Sequence, residues 1–253
     1  MNATAVRRPC QGVLQILQFN WRSYLATAAA VAMALLALPF LPRMLRIGLL
    51  LGVAPALFWL LSSLLVSHYI YDRFPLYDLN WITRALSEVP HRWLNIHCGF
   101  DETSGRLATI FPDAAFDVVD IFDPRVMTEA SIRQAQRTDR GAIAAKPARF
   151  DDLPFSPGTF DAAFCIFAAH ELRLDCQRER LFLEIARVLI SRGELVLMEH
   201  SRDWWNLLAF GPGFFHFFSQ RAWRQTAFLA GFEVKTELPM TPFVHVYILR
   251  RNV

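Results

Sequence analysis

Two long apolar runs separated by a short polar turn dominate the first third of the chain. Residues 24–41 are 18 residues without a charged side chain, and residues 47–70 are 24 residues without a formal charge. About 20 apolar residues are enough for a helix to cross the hydrocarbon core of a bilayer. The connection over residues 42–46 leaves room only for a tight turn. This pattern predicts a membrane-anchoring helical hairpin within residues 1–77.

Two other interpretations of the runs are open. A secretory signal followed by a buried core helix is disfavoured, because the segment before the first run is long and the second run follows at once. Pro39 and Pro55 allow a re-entrant hairpin that enters the membrane without crossing it.

Arginines flank both runs, and their placement bears on orientation. They lie outside the runs at Arg7, Arg8, Arg22 and Arg73, and in the turn at Arg43 and Arg46. The positive-inside rule therefore favours both ends of the hairpin in the cytoplasm. We expect an inner (cytoplasmic) membrane location, with the rest of the chain facing the cytoplasm.

From residue 78 onward, short apolar runs alternate with amphipathic segments. Strands are predicted at residues 93–97, 116–121, 142–145, 160–167, 194–198, 232–236 and 244–249, and helices at residues 103–111, 124–137, 178–189 and 221–230. Such alternation is typical of a Rossmann-like, doubly wound, mostly parallel α/β sheet, here over residues 78–253. Ligands of these sheets bind beyond the carboxyl ends of the strands. We therefore expect His97, Asp101, Asp120 and the loop after Phe167 around one crevice.

Composition narrows the class of function. The net charge of +3 and the lack of a long Lys/Arg block argue against nucleic-acid binding. The four cysteines lack CxxC spacing, so neither a zinc site nor a disulfide framework is predicted, and a reducing compartment fits better. No metal site is predicted.

Three segments of the second half carry a family resemblance. Residues 151–161 read DDLPFSPGTFD, residues 184–189 read EIARVL, and residues 192–200 read RGELVLMEH. They resemble the D-x-LPF-x-x-x-x-FD, EI-x-RVL and GG-x-L run of class I S-adenosylmethionine-dependent methyltransferases, closest to those acting on quinones and other lipophilic small molecules. The resemblance covers residues 93–249. It implies the fold of that class, S-adenosyl-L-methionine as cofactor and a lipophilic acceptor.

The resemblance also assigns residues at the first turn. The family's first motif, V-L-D-x-G-x-G-x-G, falls on residues 94–101, which read LNIHCGFD. Gly99 matches the central glycine. Asn95 takes the place of the family's aspartate, and His97 and Asp101 take the places of its first and third glycines.

Two further cofactor contacts follow from the resemblance. The acidic residue after the second strand, which takes the ribose hydroxyls in the family, falls on Asp120, with Asp123 as the alternative. The LPF loop lies near the adenine in the family, so Asp151 or Asp152 is the candidate acceptor for the adenine amino group. The structural alternative for Asp120 and Asp123 is that they cap the next helix. The alternative for Asp151 and Asp152 is that they lie in a solvated loop.

The position after the fourth strand faces the transferred methyl group in this family, and it carries His170 and Glu171 here. A histidine has a pKa near neutrality, so His170 is the candidate base that deprotonates the acceptor. Glu171 is expected to orient it, or to serve as a charge at the start of a helix. His97 is read either as a cofactor contact or as a structural histidine at a strand end.

The altered first turn has three interpretations. In the first, the single glycine Gly99 is enough for the cofactor to bind, Asp101 caps the following helix and Thr103 supplies a hydroxyl. In the second, the carboxylates of Asp101 and Glu102 answer the positive charge of the cofactor. In the third, the fold is kept but cofactor binding is lost.

These observations predict a membrane-anchored, S-adenosylmethionine-dependent methyltransferase that acts on a lipophilic small molecule. The expected partners are that acceptor and the lipid bilayer. The alternatives are a catalytically silent membrane scaffold and an enzyme that uses the cofactor for another transfer. Residues 69–81 and 202–218, both rich in aromatic side chains, are expected to meet acceptor or lipid, although the second segment is equally compatible with packing on the domain's own core.

Overall fold

The N-terminal hairpin consists of two long helices. The computed structural model describes residues 8–138 and 143–252. Helix α1 spans Gln11–Ala37, a 3-10 turn follows at Leu38–Phe40, and helix α2 spans Arg43–His68. Both helices are long and apolar enough to cross a membrane, and only 6% of each apolar window is buried within the protein. This exposure differs from that of a core helix in a soluble domain.

Helix α1 starts well before the first apolar run and is interrupted at Asn20, which has non-helical backbone angles. The Asn20 side chain donates to the Ile16 carbonyl across this interruption. The part before Asn20 packs on the α/β domain, where Phe19 meets Phe100 edge to face at 5.2 Å. The part after Asn20 carries the apolar run.

The end of α2 holds the start of α1. A π-helical turn, Tyr69–Arg73, follows α2, and its Asp72 carboxylate accepts from the backbone N–H groups of Gly12 at 2.6 Å and Val13 at 3.1 Å. The first N–H groups of a helix lack partners within the helix and carry partial positive charge, so a carboxylate satisfies both needs. We refer to Asp72, Gly12 and Val13 as the clasp.

The α/β domain contains a seven-stranded sheet in the order β3-β2-β1-β4-β5-β7-β6. Its strands are β1 Arg92–His97, β2 Ala115–Asp120, β3 Lys146–Pro147, β4 Phe160–Ile166, β5 Leu189–His200, β6 Phe232–Thr241 and β7 Val244–Arg251. Strand β7 pairs antiparallel with β5 and β6, whereas the other pairs are parallel. The remaining helices are α3 Ile82–Ala85, α4 Ser104–Ile110, α5 Ala130–Thr138, α6 Asp175–Val188, α7 Trp204–Phe210 and α8 Gln220–Leu229. The predicted fold class is confirmed.

Some predicted elements differ. The helix predicted from residue 124 begins at Ala130 instead. Asp123 accepts from the backbone N–H of Arg125 through its side chain and from that of Met127 through its carbonyl, and this local turn replaces the first helical turns. The strand predicted at residues 142–145 falls partly outside the described residues, and β3 lies just after it at Lys146–Pro147.

The segment after α2 is anchored in the core, and its Tyr71 and Tyr77 side chains line the cavity between the sheet and the hairpin. Ile70, Leu76, Leu79 and Ile82 are fully buried and pack with strand residues on one face of the sheet. Helices α5, α6 and α8 cover the opposite face. Burial of this segment fixes the end of the hairpin on the sheet.

Hydrogen bonds connect the sequence motifs to one another and to the start of β1. In the EIARVL segment, Glu184 accepts from the Leu153 N–H at 2.8 Å, and Arg187 donates to the carbonyls of Leu153 and Phe155 in the LPF loop. Asp161, at the end of the first motif run, accepts from the N–H groups of residues 91 and 92, at the start of β1. These hydrogen bonds within the fold therefore account for the spacing of the motifs.

A substitution at Gly12 tests the clasp. An added Cβ would collide with the side chain and backbone of Tyr71, so we expect Gly12→Ala to destabilise the protein by about 1–3 kcal/mol. The measurement is the thermal unfolding midpoint in detergent. Gly48→Ala in α2 is the matched control, because a Cβ there meets nothing within 4 Å. Equal midpoints for the two variants would contradict the clasp.

Candidate active site

One cavity of about 950 Å³ joins the sheet to the hairpin. Its walls come from α1, α2, the carboxyl ends of β1 and β4, and the segment around residues 210–217. His97, Phe167 and His170 line it, as the sequence predicted for a crevice at this edge. Asp101 and Asp120 do not line this cavity, although Asp120 is the register partner of His97 across β1 and β2.

Gly99 and Asp120 together form the first turn. Gly99 has φ of +75°, and a Cβ there would lie 2.9 Å from the Gln136 side chain, so both backbone and space require glycine. The Asp120 Oδ1 accepts from the N–H groups of Gly99 at 2.7 Å and Phe122 at 2.9 Å. No hydrogen bond to Asp120 Oδ2 is found among the described residues, so this oxygen can accept from a ligand.

Asp101 holds the start of α4. Its Oδ1 accepts from the backbone N–H groups of Thr103 and Ser104, each at 3.0 Å. The Asn95 side chain supports the same turn by donating to the hydroxyls of Thr103 at 3.0 Å and Ser104 at 2.7 Å. This geometry favours the first interpretation of the altered turn, in which Asp101 acts as a helix cap.

Several buried polar atoms beside the turn lack partners within the described part of the chain. They are Asn95 Oδ1 and both ring nitrogens of His97, a side chain that is 5% exposed. The nearest carboxylate oxygen to His97 is Asp120 Oδ1, at 3.9 Å. Of these two residues only His97 lines the cavity, so its ring nitrogens are the ones beside any polar ligand bound there.

Asp151 and Asp152 lie away from the cavity. Both carboxylate oxygens of Asp151 accept from the Arg149 guanidinium at 3.0 Å, and Arg180 lies 3.7 Å away. Neither aspartate lines the cavity. Their assignment to the adenine stays a prediction.

His170 lies in a 3-10 turn, Ala169–Glu171, directly after β4. Its Nδ1 lies 2.7 Å from Glu199 Oε2, and its backbone N–H donates to Glu199 Oε1 at 3.2 Å. Its Nε2 lies 3.5 Å from Glu171 Oε1, and His216 Nε2 lies 3.8 Å from the same oxygen. We call His170, Glu171 and His216 the His–Glu–His cluster.

The charges of this cluster are set by its surroundings. Burial lowers the pKa of His170, but Glu199 and Glu171 outweigh burial and raise this pKa to about 10. Burial raises the pKa of Glu171, yet His170, His216 and Arg173 bring it below its usual value. Burial and the charge of His170 lower the pKa of His216 to about 4. At neutral pH, without a ligand, His170 is therefore charged and His216 is neutral.

The raised pKa of His170 changes the role expected of this residue. A charged imidazole donates hydrogen bonds and must lose its proton before it can act as a base. The assignment of His170 and Glu171 as catalytic residues stays a prediction.

Sequence reasoning did not assign a role to Glu199, which is buried at the end of β5. A signal was present, since Glu199 directly follows the apolar run LVLM of a buried strand. Parallel strands end at one edge of the sheet, and Met198 is the register partner of Ile166 in β4. A charged residue there falls beside the residues that follow β4.

His200 connects the sheet to the end of α2. Its Nδ1 lies 3.0 Å from the Phe243 carbonyl and must donate to it, so its Nε2, 2.7 Å from the Tyr71 hydroxyl, accepts. The Phe167 ring stacks on His200 at 5.2 Å, with the Phe167 backbone at φ of +51°. Positive φ is uncommon for a bulky residue, and here it turns the chain into the cavity wall.

The 202–218 segment packs on α2 at a few residues, while Trp204, Trp205 and Phe215 are exposed. The Ser62 hydroxyl of α2 donates to the Ala209 carbonyl at 2.8 Å, and a Cβ on Gly211 would lie 2.5 Å from the Trp59 ring. Arg173 donates to the His216 carbonyl at 2.5 Å. The segment thus holds His216 in the cavity wall.

Comparison with known proteins gives a domain match and a shared fold. Residues 94–197 match the family model described as a methyltransferase domain. A search of curated proteins finds no match. The pyocyanin biosynthetic protein PhzM aligns with a TM-score of 0.52 and 12% identity over 75% of this chain and 58% of that chain. A SAM-dependent methyltransferase from Aquifex aeolicus aligns with a TM-score of 0.51 and 15% identity over 71% of this chain and 93% of that chain.

A pH series tests the hydrogen bonds of His200. Burial and the charge of His170 lower the pKa of His200 from 6.5 to about 3. Above pH 6.5 both folded and unfolded His200 are neutral, whereas between pH 6.5 and about 3 only the unfolded form takes up a proton. Stability contributed by neutral His200 is therefore lost as the pH falls through this window.

We expect the thermal unfolding midpoint in detergent to fall more for the wild type than for His200→Gln when the pH is lowered from about 7.5 to about 5. Glutamine is the suitable control, because its amide both donates and accepts without titrating. The same decrease in both proteins would refute this account of His200.

Proposed function

We propose that this chain, which its domain match and its fold support as an S-adenosylmethionine-dependent methyltransferase, methylates a lipophilic small molecule at a membrane surface. The acceptor class, a quinol, lipid or similar molecule, goes beyond the comparisons and rests on the geometry of the cavity and hairpin.

The observation that carries this proposal is the continuity of the cavity. The same cavity is lined by His97 and His170 at the sheet and by Thr27 and Trp59 between the two apolar helices. A water-soluble acceptor does not need a site that extends between apolar helices, whereas a lipophilic acceptor reaches the crevice this way without entering water. Polar groups within this part, such as the Tyr24 and Ser63 hydroxyls 3.1 Å apart, offer sites that orient a ring oxygen.

Membrane anchoring by α1 and α2 is part of the proposal. Their length, apolar composition and exposure support it, and the exposed indoles of Trp21, Trp204 and Trp205 suit a membrane–water interface. The clasp keeps the start of α1 and the end of α2 together, so both ends of the hairpin lie on the side of the α/β domain. The flanking arginines and the four free cysteines favour the cytoplasmic side of the inner membrane.

The residues at the first turn fit S-adenosyl-L-methionine. Asp120 Oδ2 suits the ribose hydroxyls, because a carboxylate accepts from two hydroxyls at once. The unpartnered ring nitrogens of His97, which lines the cavity, suit the polar amino acid end. The bound cofactor supplies a methyl group on a positively charged sulfur, which activates that group toward a nucleophile.

The chain's own contribution is positioning and handling of a proton. Glu171 Oε2 is buried without a partner among the described residues, so it can accept a hydrogen bond from an acceptor hydroxyl or amine. His170 lies beside Glu171, and Glu199 fixes the His170 ring through Nδ1. In the proposed reaction Glu171 orients the nucleophile and accepts its proton as it attacks, because His170 is already protonated.

A catalytically silent scaffold with the same fold is the alternative. The unpartnered ring nitrogens of His97 favour a cofactor site, because a silent protein gains nothing by burying them unsatisfied. Loss of cofactor binding in the wild type would support the scaffold.

Calorimetry with S-adenosylmethionine tests the cofactor site. Asp120→Asn keeps an oxygen that accepts from the Gly99 N–H, but it removes the charge that we assign to the ribose. We expect its affinity to fall by at least about tenfold. The matched control is Asp123→Asn, because both Asp123 carboxylate oxygens already accept from Arg125. This variant should bind the cofactor as the wild type does. If the Asp123 variant loses affinity and the Asp120 variant does not, the assignment is reversed.

Filling the cavity between the helices tests the acceptor class. Gly52 lines the cavity and a Cβ there meets nothing within 4 Å, so Gly52→Phe places a ring inside it. Gly48→Phe lies one turn earlier, at a residue that does not line the cavity, and is the control.

The assay uses methyl-labelled S-adenosylmethionine with a total membrane lipid extract, followed by extraction into organic solvent. We expect extractable label from the wild type and Gly48→Phe, and only background from Gly52→Phe, with cofactor affinity unchanged in all three. Equal labelling by Gly52→Phe would rule out this route for the acceptor.

A further inference from the structure

The His–Glu–His cluster has the arrangement of a metal site. Its three ligand atoms, one each from His170, Glu171 and His216, lie within 4.8 Å of one another. Both Nε2 atoms approach the same Glu171 oxygen, at 3.5 Å and 3.8 Å. Ligand atoms about 2.0–2.1 Å from one tetrahedral cation lie about 3.4 Å from one another, so binding requires the two imidazoles to move together by about 1–1.5 Å.

The outer nitrogen of one imidazole is hydrogen-bonded to a carboxylate, whereas the outer nitrogen of the other only lies near one. His170 Nδ1 lies 2.7 Å from Glu199, and His216 Nδ1 lies 3.9 Å from Glu129. Histidines that bind metal through one nitrogen commonly give the other N–H to a carboxylate, which fixes the ring and makes it a better ligand. His170 shows this arrangement, whereas the 3.9 Å separation at His216 is too long for a hydrogen bond.

The Glu171 carboxylate has an oxygen that is open to a cation. Glu171 is 5% exposed, and its Oε2 has no partner among the described residues. Arg173, the nearby arginine, uses its Nη1 on the carbonyls of His170 and His216 and its Nη2 on that of Phe215. Arg173 is therefore not bonded to the unpartnered Glu171 oxygen, which belongs to a residue of the cavity wall.

We infer that His170, Glu171 and His216 bind a divalent metal ion, with Zn²⁺ as the best match to two imidazoles and one carboxylate. Three protein ligands leave a fourth position open in a zinc site of the catalytic type. All three side chains line the cavity, so this position faces the space assigned to the acceptor. The group it takes is an oxygen of a small molecule or water. The inference departs from the sequence prediction of no metal site, and it does not depend on the proposed methyl transfer.

Zinc binding by the tag-free, full-length protein in detergent tests this inference. After treatment with a chelator and its removal, the protein is titrated with ZnCl₂ in a calorimeter, and bound metal is measured by mass spectrometry after gel filtration. We expect one Zn²⁺ per chain. Co²⁺ in place of zinc should give the visible absorption of a four-coordinate site.

Three variants and one control make the result specific. Glu171→Gln and His216→Asn should each lose stoichiometric zinc, while Glu199→Gln should weaken binding by about 10–100-fold. His245→Asn is the control, because His245 lies outside the cavity wall and should leave binding unchanged. A cooperative thermal unfolding transition in each variant shows that the fold is intact.

Sub-stoichiometric zinc in the wild type, or unchanged zinc in Glu171→Gln and His216→Asn, would overturn the inference. In that case a proton on His170 supplies the positive charge. Because the titration uses zinc alone, its failure would leave the proposed methyl transfer standing, and failure of methyl transfer would leave the zinc result standing.

Discussion

The structure depends on one long-range contact, in which the Asp72 carboxylate at the end of α2 holds the first N–H groups of α1. This contact brings both ends of an apolar hairpin to the edge of the sheet. It also forces α1 to run across the crevice, where Gln15 donates to Glu102 at 2.9 Å and Phe19 meets Phe100. The cavity is shared by hairpin and sheet because the hairpin is fixed at its base.

The sequence predicted the α/β fold well because its signals are local. Short apolar runs placed the main strands, and the motif residues that reveal the fold, such as Glu184 and Arg187, are those that fasten the loop after β3. The start of α5 was predicted wrongly, because the turn made by Asp123 competes with the helix that Pro124 favours. The clasp was not predicted, since sixty residues of chain separate Asp72 from Gly12 and nothing local pairs them.

The site was predicted only in outline. His97 and His170 were placed correctly at the crevice, because the predicted strands also predict where their carboxyl ends lie. Glu199 comes from β5 and His216 from the segment after α7. Only the packing of these elements brings the two residues to His170. The charge of the cluster is a property of this assembly. A single histidine in the sequence suggested a base, whereas a histidine between two carboxylates is a charged group or a metal ligand.

The central claim is that the cofactor's reactive end and the space between the apolar helices belong to one cavity. A structure of the protein in lipid nanodiscs with S-adenosylhomocysteine tests this claim most directly. The account predicts the cofactor's ribose at Asp120 and its sulfur at the cavity wall near His97 and His170, open toward α1 and α2. A cofactor whose sulfur faces away from this cavity, or a wall that separates it from the helices, would contradict the account.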